Sequence, residues 1–475
     1  MKNERNCLCL TCLFYVVLVF GVHAEIRLPA VFSDNMVLQQ QSQVAVWGWA
    51  KPNTHVSVIG SWDKKRYSIK SDTSGYWLVK VTTPESGFTP YTITVSDGEP
   101  VTIKNILIGE VWICSGQSNM QMPMRGRVEI NEPPIVGGSE AIASSTLSGV
   151  RCFNLKRTIK TEPQDDCEGI WELANPQTTP GFSATGYFFA CVINRMLNVP
   201  VGLIHTSYGG SRIEAWMSAG SLRNFHEITI PTKDTDISHR AEEMPTLLYN
   251  GMIHPIAGYG IRGVIWYQGE SNIDAPDLYV KLFDTMVRDW RNLWGVGEFP
   301  FYYCQIAPYD YGSSSHSALF REAQAKCMTV TPNTGMAVLM DVGAQYEHPP
   351  RKREAGERLA LWALAKTYGV DSLPYRSPEL MTIEIEGRMA VLTFDVNFDP
   401  GLYSINKEML NFRIAGQNRQ FYPTKATCWG NKVFLFSPQV AEPVAVRYCF
   451  ENDSAAELFG IESNLPVGSF RTDEW

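Results

Sequence analysis

The sequence is short of positive charge. Its 41 Lys and Arg stand against 49 Asp and Glu, leaving a net charge of −8, which argues against a polyanionic partner. The densest basic stretch, Arg351-Lys352-Arg353, is brief and runs straight into Glu354, too little for a nucleic-acid interface. After residue 24 there is no Cys-x-x-Cys pair, so neither a zinc ribbon nor a thioredoxin-like centre is supported. Beyond the same point no apolar run reaches the ~18 residues of a membrane span, and the mature chain is expected to be soluble. Internal repeats and low-complexity tracts are also missing, which leaves ordinary globular domains.

What is present is a chain of 475 residues with 44% apolar content, enough for two or three domains with full cores. Residues 1–24 read as a signal peptide. Lys2, Glu4 and Arg5 form a polar head, Cys7 to Gly21 is nearly all apolar, and Val22-His23-Ala24 is a small-residue exit. Thr11 precedes Cys12 and most of the apolar run follows it, so secretion to the periplasm or beyond is expected rather than a lipid anchor. Eight cysteines lie after the cleavage point. Export permits their oxidation, and Cys152–Cys167 and Cys428–Cys449 are candidate bridges, although spacing does not fix connectivity. The 13 Trp and 20 Tyr suit a sugar-binding surface and a β-rich core equally.

Residues 25–104 read as an all-β module, a sandwich or jelly roll. Val44 to Trp49, His55 to Ile59, Tyr76 to Val81 and Tyr91 to Val95 are short strands separated by turns such as Asp72-Thr73-Ser74-Gly75. Between 105 and 372 the texture becomes α/β. Buried strands are expected at 106–113, 201–205, 263–266, 301–305 and 336–340. Helices are expected at 187–196, 278–294, 318–328 and 355–368. Leu282, Met286, Trp290 and Leu293 give the second helix one apolar stripe. The pattern is that of a parallel, doubly wound sheet. Residues 125–179 look like a loop-rich excursion, with Pro133-Pro134 and Gly137-Gly138 as breakers. Residues 373–475 return to β as a C-terminal module, expected to pack against the first β module.

Ser118 draws attention because Gly116-Gln117-Ser118-Asn119-Met120 follows a strand apolar from Ile106 to Ile113 apart from Gly109-Glu110. Ligands bind at such strand ends. Three more loops follow predicted strands: Thr206 to Arg212, Tyr267 to Asn272, and Asp341 onward to His348-Pro349. In a parallel sheet all four meet at one edge. Ser118 is the candidate nucleophile and His348 its base. Asp341 and Glu347 are the nearby carboxylates for the third role, and a Ser–His dyad oriented by a backbone carbonyl remains open. The N–H groups of Ser118, Gly209 or Gly210, with an amide from Gln268 or Asn272, are oxyanion-hole candidates. Gln117, Asn119, Arg212 and Glu270 are candidate substrate contacts, with Arg212 suited to a carboxylate. The bland alternatives are turns that use Gly and Ser for backbone reasons, a structural salt bridge for Arg212, a loop-positioning role for Glu270, a fixed turn at His254-Pro255, and core roles for His205, Trp216 and Trp266.

Gly116 to Met120, Gly209-Gly210-Ser211 with Glu214-Ala215-Trp216, Trp266 to Asn272, Leu28 to Gln39, His348-Pro349, and the closing Leu465-Pro466 with Phe470 to Asp473 together resemble bacterial sialate O-acetylesterases of the SGNH/GDSL hydrolase superfamily. The resemblance spans nearly all of the mature chain. It implies a serine esterase that removes O-acetyl groups from sialic acids without metal or organic cofactor. It also implies an SGNH-type α/β/α domain flanked by N- and C-terminal β-sandwich modules. One position departs: Gln345 stands three residues before His348, where the superfamily carries Asp. Asp341, which ends a predicted strand, is the preferred third member. Acetylated xylan or another acetylated glycan is the alternative substrate. Paired-carboxylate glycoside hydrolysis through Glu270 and Asp341, and a non-catalytic glycan binder, are the readings from other classes.

Overall fold

The computed structural model describes residues 26–146, 149–312 and 316–475; the expected signal peptide lies outside the described residues. The architecture is mixed α/β, and its centre is the 17-residue strand Pro100–Gly116. The first part of this strand alternates exposed and buried residues and pairs antiparallel with Gly87–Ser96. From Ile106 to Gly116 every residue is buried. Its last residues lie between Val201–Ser207 and Gly263–Tyr267, parallel to both. The expected boundary between residues 104 and 105 therefore falls within one continuous strand.

The sheet runs in the order Thr334–Ala337, Phe301–Cys304, Gly263–Tyr267, Pro100–Gly116, Val201–Ser207, Val150–Leu155, Gly169–Leu173. All neighbours are parallel except the last pair. The side-chain period of two sends alternate residues to opposite faces. Trp112, Cys114 and Leu203 join one apolar cluster with helices Ala184–Leu197 and Lys352–Trp362. Ile113, Ile204 and Trp266 join another with Pro276–Trp294, whose Leu282, Met286 and Trp290 are fully buried. Each such aliphatic side chain stabilises the fold by roughly 1.5–3 kcal/mol. Gly356 lets the first two helices touch, since a Cβ there would lie 2.4 Å from the Thr185 carbonyl oxygen. Trp266 meets Trp216 and Trp290 edge-on, each at 5.9 Å, so these rings are core.

The interruption at Gly109-Glu110 has a packing cause. A Cβ at position 109 would come 2.1 Å from the Pro200 carbonyl oxygen. Glu110 is wholly buried and accepts hydrogen bonds from Gln39, Gln40, Arg262 and Tyr368, which is how a buried carboxylate is tolerated.

Residues 125–179 are more ordered than their composition suggests. They contain helix Gly138–Ala143 and two strands of the central sheet, Val150–Leu155 and Gly169–Leu173. Arg151 and Asn154 hide the first of these strands from a hydrophobicity pattern. Arg151 is nevertheless buried, donating to the carbonyls of Asn35 at 2.8 Å and Asn105 at 2.5 Å.

At the N-terminal side, Val37–Gln39, His55–Gly60, Arg66–Lys70 and Gly87–Ser96 are hydrogen-bonded into the same sheet system, with a separate pair Gln43–Trp49 and Tyr76–Thr82. The C-terminal strands form two four-stranded sheets and one two-stranded sheet. They dock on helix Ser317–Val330, where the buried Arg321 donates to the carbonyls of Cys449, Glu451 and Asn452. The expected disulfides are not formed; all eight cysteines among the described residues are free. The ladder sets Cys152 opposite Glu172 and Leu155 opposite Gly169, so Cys167 lies beyond the far end of the pairing. Cys428 belongs to one C-terminal sheet, and Cys449 follows a strand of the other.

Candidate active site

The strand Pro100–Gly116 ends at Gly116, whose φ of +135° suits glycine; a Cβ there would come 2.2 Å from the Tyr267 carbonyl oxygen. The chain turns at Gln117 and places Ser118 at the first position of the short helix Ser118–Gln121. The four strand-end loops do converge on this segment. Gln117 Oε1 accepts from the N–H groups of Gly269 (3.2 Å) and Ser271 (3.4 Å). Gln121 Oε1 accepts from Gly209 N–H at 2.6 Å. Asn119 Nδ2 donates to Glu270 Oε1 at 2.5 Å and to the Glu347 carbonyl at 3.3 Å.

His348 lies in the loop after Thr334–Ala337, with its side chain 11% exposed. Its Nδ1 is bonded to Glu132 Oε1. The expected partner Asp341 is engaged elsewhere: its two oxygens accept from Arg358 at 2.6 and 2.8 Å. Glu347, the other sequence candidate, contributes its backbone carbonyl to Asn119. The carboxylate on His348 therefore comes from the excursion, at the residue before Pro133-Pro134. Glu132 Oε2 is buried without a partner, so this carboxylate is directed at the imidazole. Burial pushes the His348 pKa down against the upward pull of Glu132, for a net lowering. The imidazole is accordingly neutral and basic near pH 7.

The oxyanion candidates fare unequally. The backbone of Gly209 abuts Ser118, since a Cβ there would lie 3.4 Å from Ser118 Cβ. Its N–H is covered by Gln121. Gly210 lies one residue on, with its carbonyl accepting from Ser271 Oγ at 3.0 Å. The Gln268 amide spends both protons, on the Ser211 carbonyl (3.1 Å) and on Asn272 Oδ1 (2.8 Å). It is thus not an oxyanion donor; it aligns Asn272. Asn272 Nδ2 donates to Glu214 at 3.0 Å and keeps a second proton.

Of the expected substrate contacts, Gln117, Asn119 and Glu270 are buried. Their bonds to one another's loops make them braces rather than a surface. Arg212 lies 3.6 Å from Glu214 and 3.5 Å from Asp274, a structural ion-pair setting. Lys352, seen in sequence only as part of a basic triplet, is buried and donates to Asn119 Oδ1. Burial lowers its pKa to about 7 and raises that of Glu270 to about 7. Asn119 is the amide between these two groups, one residue from Ser118.

Glu132, Lys352 and Gln121 were not legible as site residues. For Glu132 a signal did exist. Gln345 stands where an acid was expected, and an imidazole base without a local carboxylate draws one from another segment.

The family model described as carbohydrate esterase, sialic acid-specific acetylesterase, matches residues 108–360, a span that includes Ser118, Glu132 and His348. The sialate O-acetylesterase of Mus musculus is 28% identical over 440 residues, covering 78% of this chain and 79% of the relative. That of Homo sapiens is 29% identical over 410 residues, covering 77% and 76%. The crystal structure of a carbohydrate acetylesterase from Xanthomonas citri superposes with a TM-score of 0.85 at 36% identity, over 95% of this chain and 100% of that one.

Proposed function

The chain belongs to the carbohydrate esterase, sialic acid-specific acetylesterase family and is a carboxylic ester hydrolase, and from that premise we propose that it removes O-acetyl groups from sialic acids through Ser118, His348 and Glu132. The observation that carries this reading is the bond from His348 Nδ1 to Glu132, on a loop that reaches Asn119 beside the nucleophile. With its proton held at Nδ1, the imidazole presents an Nε2 lone pair to the serine hydroxyl.

Ser118 Oγ attacks the acetyl carbonyl carbon while His348 Nε2 takes the hydroxyl proton. The tetrahedral intermediate collapses, the bond to the sugar oxygen breaks, and His348 returns the proton to that oxygen. Water then attacks the acetyl-serine by the same route and releases acetate. The donors for the oxyanion are the N–H of Ser118, the second proton of Asn272, and the N–H of Gly209 once substrate oxygen replaces Gln121 Oε1. One such donor is typically worth about 3 kcal/mol of barrier. An SGNH-type catalytic sheet and export through residues 1–24 belong to the same proposal. Their support is the motif set around Ser118 and His348-Pro349 and the composition of the leader.

The Xanthomonas citri relative is named as a carbohydrate acetylesterase without a sialic acid, which favours acetylated xylan or another acetylated glycan as the second reading. Paired-carboxylate chemistry loses its second carboxylate, because both oxygens of Asp341 are held by Arg358. Acetate release from O-acetylated sialic acid and from acetylated xylan, by wild type and Ser118→Ala, tests the assignment. Release from sialic acid that vanishes in the variant is expected. Release from xylan alone moves the substrate and keeps the mechanism; equal activity in the variant overturns Ser118.

A further inference from the structure

One strand over from Ser118, on the same edge of the sheet, lies a cavity of about 490 Å³. It sits where the parallel strands Val201–Ser207 and Val150–Leu155 end, against the segment that leaves the nucleophile helix. Arg125, Arg127 and Arg157 line it. None of these three guanidinium groups has an ion-pair partner among the described residues. The neighbouring cations differ: Lys156 is paired with Glu168 at 2.7 Å, Arg212 lies near Glu214 and Asp274, and Arg358 holds Asp341. Glu129 is the one acid in the lining, and it is exposed.

His205 stands in the wall with Nδ1 bonded to Asn154 at 3.1 Å and Nε2 to Ser207 at 2.6 Å. Burial, with help from Arg157, lowers its pKa to about 4. It is neutral at physiological pH, and the positive charge of the cavity resides on the guanidinium groups. Two features join the cavity to the reacting atoms. Gln121 lines it and also caps the Gly209 N–H beside Ser118. Arg157 lies over the ring of Tyr208, the residue before Gly209, at 5.6 Å.

We infer that this cavity is the anion subsite of the active site, taking the carboxylate of an acidic O-acetylated sugar while the ester lies at Ser118. The inference rests on the Ser118 esterase reading. A volume of this order holds a monosaccharide, and a guanidinium fork matches a carboxylate better than an ammonium does. The subsite takes over the role expected of Arg212, whose charge is already met. Sialic acids and uronic acids share the chemistry it recognises.

The test compares each acetylated acidic sugar with its methyl ester, which removes the carboxylate charge and leaves the acetyl group. Wild type is expected to show a kcat/KM at least about tenfold higher for the free acid than for the methyl ester. Arg125→Gln/Arg157→Gln is expected to bring that ratio close to one, and Arg125→Lys/Arg157→Lys to restore part of it. Both side chains are exposed, and unchanged circular dichroism and melting would show that the variants fold. Running the pair with O-acetylated sialic acid and with an acetylated uronic acid oligosaccharide identifies the sugar; preference for the acid in either series supports the subsite. Equal rates for acid and ester in both series by wild type, or a preference that survives the double glutamine variant, overturns it. Failure of the Ser118 reading looks different: acetate release would then persist in Ser118→Ala.

Discussion

Replacing Glu132 by Gln keeps the shape of the side chain and removes its charge, which isolates what the carboxylate does for His348. In the first tetrahedral transition state the imidazole becomes imidazolium, and Glu132 is the acid bonded to its Nδ1. Both side chains are 11% exposed, so solvent screens the pair little. For a charge separation on the order of 4 Å at an effective dielectric near 20, the attraction is about 4 kcal/mol. That corresponds to roughly 10³-fold in rate. The Gln amide can also donate to Nδ1 and hold the wrong tautomer, which pushes the loss toward about 10⁴. The expected result is a kcat for acetate release lower by about 10³–10⁴, with KM changed little and the melting temperature near that of wild type. The acidic limb of kcat/KM should also move to lower pH, because Glu132 is the group that raises the His348 pKa. A kcat within about tenfold of wild type would refute the triad and return the site to a Ser–His dyad.

Two further perturbations separate structure from chemistry. Asp341→Asn breaks a buried pair whose partners are each under a tenth exposed; a stability loss of about 3–5 kcal/mol is expected, read as a lower denaturation midpoint, while a rate loss matching that of Glu132→Gln would restore Asp341 to the catalytic role. For His205, the folded pKa of about 4 lies below the ordinary 6.5, so the unfolded chain binds the extra proton first. Its contribution is complete above pH 6.5 and is lost as the pH falls towards 4. Melting temperatures of His205→Asn should therefore fall less steeply across that window, and an unchanged slope would show that His205 is solvated.

What the sequence revealed and what it hid follow from the range over which each signal acts. Strands such as Gly263–Tyr267 are apolar on both faces because helices cover both faces, and that is legible locally. The strand Val150–Leu155 is hidden because the acceptors of the buried Arg151 are carbonyls more than 40 residues away. The convergence of four loops followed from parallel topology, and the bonds of Gln117, Asn119 and Gln121 to the other three loops are its trace. Glu132 did not follow, because no periodicity links a carboxylate before a Pro-Pro turn to a histidine 216 residues further along the chain. The role of Gln268 is not legible in the sequence, because a donor's availability depends on acceptors that only the folded chain assembles, here Ser211 and Asn272. The pairing of Asp341 with Arg358 is of the same kind: the strand stops at Ala337, Asp341 falls in the turn beyond it, and Arg358 of the helix Lys352–Trp362 claims the acid.

The strand that leads to Ser118 also has a mechanical consequence. Pro100–Gly116 begins in the N-terminal β layer and ends one residue short of the serine's turn, with no linker between. It acts as a beam clamped along its length by ladders to Gly87–Ser96, Val201–Ser207 and Gly263–Tyr267. Residues 26–99 are therefore no detachable accessory. A truncation that removes them strips the near half of the beam of its partners, exposes its unpaired edge to aggregation, and loosens the far end where Ser118 is aimed. Fusion or shuffling of the catalytic layer onto another protein would have to carry those strands along, which makes the N-terminal layer and the esterase one inheritable part.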